Sequence, residues 1–345
     1  MKFSVGYWTM GQTRLRPRHH ALLYEELVRD CVTAEDLGYD AIWLAEHHFW
    51  YDGHSNALLT ILGAMAAETD KLKIGTSMLL LPIHDPLRLA ENIACVDHLS
   101  GGRLRLGFGL GYREEEFDAY GISMRQRASR TDETLELLLK LWRSDEPIDH
   151  EGRHFTYRGP VCRPKPLQSP HPAIAMGGFV PATVERAARF GFGIYLGPVM
   201  NGEQAAGLLD IYRANLSDEH AQKPRDVGIL RDFWVAETEA ELEEGRQRLR
   251  NYYGETVALG WRLFRDEAGT PIGPDRGRLL RAYVDASVGA GIIGTPEQVT
   301  RELKQFEQLG FDHIQLRFRF DSQPAEKIHK AMRLFAEEVM PAFQS

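Results

Sequence analysis

The sequence predicts an α/β protein with a (β/α)8 barrel, on three grounds. Strand-like and helix-like segments alternate along almost all of the 345 residues, which is typical of parallel strands joined by right-handed helical crossovers. A helix end, a glycine and a strand start recur in "LGYDAIWL" (37–44) and "LGFDHIQL" (309–316), and more loosely in "FGFGIYL" (190–196). About eight such units suit a barrel once insertions are allowed. A doubly wound open sheet is the alternative, because periodicity alone does not show closure.

The first half of the chain supplies four strands and four helices. The strands are predicted at 2–8, 41–45, 72–81 and 103–109, and the helices at 19–37, at 56–69, from Pro86 onward and at 131–142. Gly38 stands where a helix C-cap belongs, and Pro86 suits a first helical turn. "AIWLA" is short and apolar, as expected of a strand buried on both faces. Thr131 is the N-terminal signal of the fourth helix.

The second half continues the alternation with one interruption. A short hairpin is predicted within 148–157, strands at 172–178, 192–197, 227–236 and 313–320, a helix after Pro181, and an amphipathic helix at the C-terminus. The segment 245–294 does not fit the alternation and is interpreted as an insertion before the last strand of a single domain, 1–345. Long excursions after barrel strands are often active-site lids. A solvated surface insertion is the alternative.

Composition restricts the class of protein. Hydrophobic residues make up 43% and charged residues 26%, which is typical of a soluble globular protein. The net charge of -8 argues against nucleic acid as a partner. Cys31, Cys95 and Cys162 form no CxxC pair, so neither a disulfide framework nor a structural zinc site is expected. The sequence has no apolar run near the roughly 18 residues of a membrane span, so a cytoplasmic location is predicted.

Polar residues at the end of the second strand are candidates for proton transfer or metal binding. "AIWLAEHHFW" (41–50) ends its apolar run in Glu46, His47 and His48. Active sites of barrels lie at the carboxyl ends of the strands, and an inward imidazole there suits proton transfer near neutral pH. Adjacent strand residues point to opposite faces, so the two histidines are poorly placed to share a metal ion. A purely structural hydrogen-bonding role is the alternative.

A phosphate site is predicted where "GGFVPAT" follows the fifth strand. A helix starting at Pro181 would present free N–H groups and the positive end of its dipole. The donors would be the backbone of Gly177, Gly178, Phe179 and Val180 and the hydroxyl of Thr183. The positive charge that balances the phosphate would come from Arg125, Arg127 or Arg130 in "RQRASR". A simple tight turn and a solvated basic run are the alternatives.

Five motifs in order resemble the bacterial luciferase-like family of flavin-dependent monooxygenases. They are "GYDAIWLAEHHF" (38–49), "KIGTSMLLLPIHDPLRLAE" (73–91), "DHLSGGRLRLGFGLGYREEEF" (97–117), "RAARFGFG" (186–193) and "GTPEQV" (294–299). The resemblance implies a barrel that binds reduced FMN supplied by a separate reductase. Oxygen then reacts to form a C4a-(hydro)peroxyflavin, which oxygenates a small organic substrate. The resemblance also implies a homodimer or homotetramer.

Residue roles follow from the same resemblance. His47 matches the histidine that is important for catalysis in the luciferases, and Glu46 is expected as its neighbour, with His48 as a structural residue. Ser77 and Met78 stand where the family often has a non-prolyl cis peptide beside the flavin. The substrate pocket is expected to be apolar, for an uncharged organic compound, and lined by aromatic residues at strand ends, namely Trp8, Phe49, Trp50, Tyr112, Tyr195, Phe233 and Trp234.

Two departures from the luciferases alter the expectation. Gly109 and Leu110 replace a reactive cysteine and a phosphate-binding arginine, and Val180 or a neighbour replaces a phosphate-binding serine. Light emission is therefore not expected, and Arg127 is the first choice for the phosphate. Two alternatives stay open. One is an F420-dependent hydride-transfer enzyme, although such relatives usually have an Asp-His pair after strand 2. The other is a flavin-binding protein without catalysis.

Overall fold

A computed structural model describes residues 1–7, 12, 16–49, 55–223, 225–257 and 276–344. Of the expected pocket residues, Trp8 and Trp50 lie outside the described residues, as does 258–275 at the centre of the predicted insertion.

Eight parallel strands close into a barrel. The strands of the described chain are β1 (Lys2–Tyr7), β2 (Ala41–Leu44), β3 (Lys73–Leu80), β4 (Leu104–Gly109), β5 (His150–Glu151), β6 (Thr156–Tyr157), β7 (Ala173–Gly178), β8 (Gly193–Leu196), β9 (Val227–Val235), β10 (Ile292–Gly294) and β11 (His313–Arg317). The barrel order is β9-β11-β1-β2-β3-β4-β7-β8, and pairing of β8 with β9 completes the ring. The predicted barrel is confirmed, and closure rules out the open sheet.

Helices surround the barrel. Within the described residues they are α1 (His20–Asp36), α2 (Leu58–Glu68), α3 (Pro86–Leu99), α4 (Glu114–Ala119), α5 (Arg127–Arg143), α6 (Pro181–Phe190), α7 (Gly202–Ala214), α8 (Asp218–Ala221), α9 (Glu239–Asn251), α10 (Arg276–Gly289), α11 (Pro296–Leu309) and α12 (Ala325–Glu338). Asp85 caps α3 by accepting a hydrogen bond from the Arg88 N–H, and Gly38 follows α1 with a φ of 78°. None of the described helices is long and apolar enough to cross a membrane.

The core has two parts. A large cluster lies between the strands and the helices, and a smaller one of Ala41, Trp43, Ala175 and Tyr195 fills the barrel interior. β2 and β8 are buried along their whole length, because the helices cover one face of the barrel sheet and interior side chains the other. The interior of the barrel is therefore occupied by side chains rather than being an open channel.

Several predicted boundaries were wrong. α5 begins at Arg127, and Thr131 is a buried residue of its second turn rather than a cap. α4, directly after β4, was not predicted. The last strand ends at Arg317 rather than at 320. The segment 245–294 contains the end of α9, a π-helical turn (Tyr252–Val257), α10 and β10, which pairs with the end of β9. A lid role for this segment stays a prediction.

Candidate active site

The carboxyl ends of the strands surround a cavity of about 250 Å³. The ends of β2, β3, β4 and β7 and the start of α6 all contribute to its wall. Every residue predicted for catalysis or cofactor binding lines it: Glu46, His47, Ser77, Met78, Gly109, Arg127, Gly177, Gly178, Phe179, Val180 and Thr183. Residues from five separate segments of the sequence therefore meet in one place, which we call the strand-end cavity.

His47 is held between a carboxylate and a phenol. Its Nδ1 lies 3.0 Å from Oε1 of Glu116, and its Nε2 lies 3.2 Å from the hydroxyl of Tyr112. Glu116 is fully buried at the start of α4 and also accepts from the backbone N–H of His48 and from Arg113. A carboxylate can only accept, so Nδ1 of His47 carries a proton and donates it. In the neutral imidazole, Nε2 is then the acceptor for the Tyr112 hydroxyl.

The charge state of Glu116 supports this assignment. Burial alone would raise its pKa, but hydrogen bonds from His47 and the His48 N–H, together with the positive charge of Arg113, lower it. Burial and the nearby charge of Glu116 raise the pKa of Tyr112 well above the usual range of a phenol. Near neutral pH, Glu116 is therefore ionised and accepts from Nδ1 of His47. The protonated Tyr112 hydroxyl donates to Nε2 when the imidazole is neutral.

Glu46 lines the strand-end cavity together with His47, but its described hydrogen bonds are to other residues. Its carboxylate, 2% exposed, accepts from the backbone N–H of Leu80 at 2.6 Å and lies 3.0 Å from Nε2 of His48 and 2.9 Å from Nε2 of His84. Burial would raise its pKa, but the charge of His84 and these hydrogen bonds lower it to about 2. Glu46 thus joins the end of β2 to the end of β3, and a part in proton transfer stays a prediction.

His48 points away from the strand-end cavity. Its Nε2 contacts Glu46, and its Nδ1 lies 3.0 Å from the hydroxyl of Tyr120. The predicted separation of the two histidines is therefore confirmed, and the contacts of His48 are those of a structural residue. Among the described side chains, no group of three or more His, Cys, Asp or Glu could hold a metal ion.

Ser77 and Met78 form the floor of the cavity. The peptide bond between them is cis, as the resemblance implied. The Ser77 hydroxyl donates to Oε1 of Gln315 at 2.8 Å, and the Met78 carbonyl accepts from the backbone N–H of Glu46. The ends of β2, β3 and β11 are thereby tied together beneath the cavity.

The glycines of β7 make room for neighbouring side chains. A Cβ at Gly177 would overlap the thioether of Met78, and a Cβ at Gly178 would lie 2.6 Å from the Thr183 hydroxyl. A Cβ at Gly109 would lie 2.9 Å from Cβ of Met78. We expected these positions to let a ligand approach the backbone closely. In the structure, the space that these glycines leave is occupied by the side chains of Met78 and Thr183, which form part of the cavity wall.

One side of the cavity has the features of an anion site. α6 starts at Pro181, which has no N–H, and its N-cap Val180 offers no capping side chain. The Thr183 N–H bonds to the Val180 carbonyl at 3.0 Å, which leaves the Ala182 N–H of this turn without a described side-chain acceptor. Thr183 is buried at the same point, and Arg127 lines the cavity opposite. Among the described residues, no carboxylate lies within ion-pair distance of Arg127.

The other two arginines of the basic run point elsewhere. Arg125 is exposed and does not line the cavity. Arg130 donates to the Pro82 carbonyl and stacks on Phe155, with 4.7 Å between its guanidinium carbon and the ring centroid. Arg127, the first choice from the sequence, is therefore the arginine of this run that lines the cavity.

A second, larger cavity of about 650 Å³ adjoins the first, and both are lined by Tyr112 and Phe179. Its other aromatic residues are Tyr252, Tyr253 and Tyr283, so we call it the tyrosine cavity. Of the expected aromatic residues that the structure describes, only Tyr112 lines this cavity. Phe49 is 65% exposed, Tyr195 lines the strand-end cavity, and Phe233 and Trp234 are buried in the outer core.

The fold and the site together define a (β/α)8 barrel with a ligand-sized cavity at the strand ends, largely apolar but containing His47, Thr183 and Arg127. Residues 3–313 match the sequence model of the luciferase-like monooxygenases. The chain therefore belongs to this family, and the resemblance stated from its motifs is confirmed.

Individual relatives match along the whole chain. The oxygenase component of a flavin-dependent trigonelline monooxygenase from Acinetobacter baylyi is 26% identical over 93% of this chain and 90% of its own. The monooxygenase RslO1 from Streptomyces bottropensis has a crystal structure with a TM-score of 0.82 at 28% identity, covering 100% of both chains. An F420-dependent secondary alcohol dehydrogenase reaches a TM-score of 0.77 at 19% identity, covering 100% of this chain and 99% of its own. This last likeness shows the fold alone.

Proposed function

We propose that the protein is a flavin-dependent monooxygenase that uses reduced FMN and O2 to oxygenate a small organic substrate. The observation that carries this proposal is the meeting of His47, Met78 and the Gly177–Thr183 turn around one cavity in a luciferase-like monooxygenase. When bound, reduced FMN supplies two electrons and two protons, so that one oxygen atom of O2 enters the substrate and the other leaves as water.

The residues present fit a flavin phosphate. Arg127 is a cation without a described carboxylate partner, and the uncapped start of α6 and the Thr183 hydroxyl are further donors. A phosphate at a helix N-terminus gains both hydrogen bonds and a favourable dipole. Met78, Leu196 and Leu230 give the same cavity an apolar wall that suits a planar ring system. Gly109, Gly177 and Gly178 leave the space in which Met78 and Thr183 reach that wall.

His47 would handle the proton that oxygenation requires. Glu116 fixes its Nδ1 as a donor, so Nε2 is the atom that exchanges a proton on the cavity side. The Tyr112 hydroxyl at Nε2 lies on the wall shared by both cavities. His47 and Tyr112, with His47 oriented by Glu116, thus form a chain that can move a proton between the two cavities without bulk water. Excluding water also limits the loss of reducing equivalents as free hydrogen peroxide.

A separate reductase would supply the reduced flavin. The trigonelline relative is named as the oxygenase component of its enzyme, which supports a two-component system here. A homodimer or homotetramer and a cytoplasmic location stay predictions.

The test is an anaerobic titration of the protein with photoreduced FMN, followed by mixing with aerated buffer. We expect saturable binding and a slower release of hydrogen peroxide than from free reduced FMN. Failure to bind reduced FMN would refute the proposal. Reduced F420 is titrated in parallel, and tighter binding of F420 with hydride transfer to a ketone would favour the alternative. Binding without any effect on the oxygen reaction would favour a flavin-binding protein without catalysis.

A further inference from the structure

The tyrosine cavity has a composition that restricts what it can bind. Tyr252 and Tyr253 follow one another in the π-helical turn after α9, and Tyr283 projects from α10. The ring centroids of Tyr252 and Tyr253 are 5.2 Å apart, and those of Tyr253 and Tyr283 are 5.9 Å apart, both in edge-to-face contact. π-Helical turns are rare and occur often at functional sites. Here the turn places two consecutive aromatic side chains on the same cavity.

A buried ion pair fixes this group of rings. The guanidinium of Arg317 pairs with Asp232, and both side chains are almost fully buried. The Tyr253 hydroxyl donates to Oδ2 of Asp232 at 2.6 Å, and the Arg317 guanidinium lies 4.4 Å from the ring centroid of Tyr252. Two of the rings are thereby held in place before any ligand binds, which reduces the entropy lost on binding.

Among the described residues that line it, the tyrosine cavity has no net charge. Arg317 is the one charged residue of this set, and Asp232 neutralises it. Moving an ionised ligand out of water without a compensating charge is costly. The cavity is therefore suited to an uncharged compound, or to a compound that is neutral in its bound form.

The size of the cavity argues for more than one ring. A cavity of roughly 150 Å³ is enough for benzene, and the tyrosine cavity has about 650 Å³. Aromatic pairs in edge-to-face or offset contact gain stability beyond the area they bury. An alkyl chain would fill the same space without that gain.

We propose that the tyrosine cavity binds the substrate, and that this substrate is a planar, uncharged aromatic compound of two or more fused rings. The proposal rests on the proposed monooxygenase function, because the shared wall of Tyr112 and Phe179 brings such a compound next to the strand-end cavity. Tyr252, Tyr253 and Tyr283 then determine specificity, and Tyr112 faces the part of the compound nearest the flavin.

Three probes test the substrate class by equilibrium dialysis against the protein saturated with oxidised FMN. Dihydroxyanthraquinone is planar and uncharged, anthraquinone sulfonate is planar and anionic, and decanal is uncharged and linear. We expect dihydroxyanthraquinone to bind at least about 10-fold more tightly than the other two. Equal or tighter binding of decanal or of the sulfonate would overturn the proposal. Displacement of dihydroxyanthraquinone by FMN would overturn it as well, because the probe would then occupy the strand-end cavity.

Substitutions identify the cavity. Tyr283→Leu, at a half-buried position, should weaken dihydroxyanthraquinone binding about 3- to 10-fold while FMN binding is unchanged. The exposed Tyr24→Leu on α1 is the matched control and should have no effect. Unchanged probe binding in Tyr283→Leu and in a second variant, Tyr252→Leu, would refute the assignment. FMN affinity is measured for every variant, with and without the probe. Absence of FMN binding would count against the monooxygenase proposal, whereas normal FMN binding without probe binding would count against the substrate class alone.

Discussion

Nδ1 of His47 lies 3.0 Å from Oε1 of Glu116, although the two residues are 69 positions apart in the sequence. The contact joins the loop after β2 to the first turn of α4. It leaves Nε2 of His47 directed at the Tyr112 hydroxyl. The orientation of the imidazole, and with it any proton transfer at Nε2, therefore depends on a carboxylate from another part of the barrel.

His47→Ala should separate flavin binding from oxygenation. The side chain handles a proton in our proposal but is not among the phosphate donors, so the Kd for reduced FMN should change less than about threefold. Turnover should fall by about 10²- to 10⁴-fold, the usual contribution of a general acid or base. The ratio of oxygenated product to hydrogen peroxide measures this effect. Unchanged turnover would refute the role of His47.

Glu116→Gln should alter the pH profile rather than abolish activity. The amide keeps the size of the side chain but removes the charge that orients His47, so we expect turnover to fall about 10-fold and the pH dependence of kcat to shift. A merely structural role would lower stability and leave the shape of the profile unchanged. The exposed Glu114→Gln, two residues earlier in the same helix, is the control. Restoration of the profile by Glu116→Asp would further support a role of the charge.

Arg127→Ala should weaken FMN but not riboflavin. The difference between the two ligands is the phosphate, and a charge-assisted hydrogen bond contributes about 1.5–3 kcal/mol, so a 10- to 100-fold rise in the Kd for FMN is expected. The exposed Arg125→Ala is the matched control. Equal losses for FMN and riboflavin would show that Arg127 contacts the ring system or acts only through folding.

The barrel was predictable because most of its strands are short runs rich in apolar residues and bounded by turn residues. The start of α5 was not, because its N-cap, Gln126, makes no side-chain hydrogen bond, whereas the buried Thr131 resembles a cap in sequence. β10 has only three residues and lies within the segment that broke the alternation. Such short elements depend on their partner strand rather than on their own sequence.

The position of the site was predictable, but its internal contacts were not. The rule that barrel sites lie at strand ends brought all the chosen residues to one cavity. Glu116 was not predicted because it belongs to the acidic run "REEE", which is also typical of a solvent-exposed helix start. The apolar Phe117 that follows is the one neighbouring residue whose type indicates that this turn is buried. Phe233 and Trp234 were assigned to the pocket wrongly, because sequence alternation does not tell which face of a strand points to the helices.

Gly177→Ala should damage the site through Met78. An added Cβ would overlap the Met78 side chain, and such overpacking costs about 1–3 kcal/mol. We expect a lower Tm and weaker FMN binding. Gly63→Ala on α2 is the control, since a Cβ there meets nothing within 4 Å and alanine favours a helix. A Gly177→Ala protein with normal Tm and FMN affinity would show that Met78 can move at little cost.

The contact between Glu46 and His84 should make stability depend on pH in a bell-shaped manner. The pKa of Glu46 falls to about 2 in the folded protein from an ordinary 4.5. Its stabilisation is therefore complete above pH 4.5 and is lost as the pH falls through 2, with a total of about 3 kcal/mol. The pKa of His84 is raised above 6.5: burial opposes its charge, but the attraction of Glu46 prevails. Its stabilisation is complete below pH 6.5 and is lost as the pH rises through the folded value.

Glu46→Gln tests both limbs of this dependence. The amide removes the charge that His84 and His48 contact, so the variant should be about 3 kcal/mol less stable near pH 5.5, within the range given by removal of one partner from a buried pair. Its Tm should also change less than that of the unsubstituted protein from pH 5 to pH 3 and from pH 6.5 to pH 8.5. The exposed Glu146→Gln is the matched control and should follow the unsubstituted protein. The pair of Glu46 and His84 stabilises the fold only when both residues are charged, so its removal should flatten the Tm profile on the acid side and on the alkaline side. If Tm depends on pH in the same way in Glu46→Gln and in the unsubstituted protein, other groups determine the pH dependence.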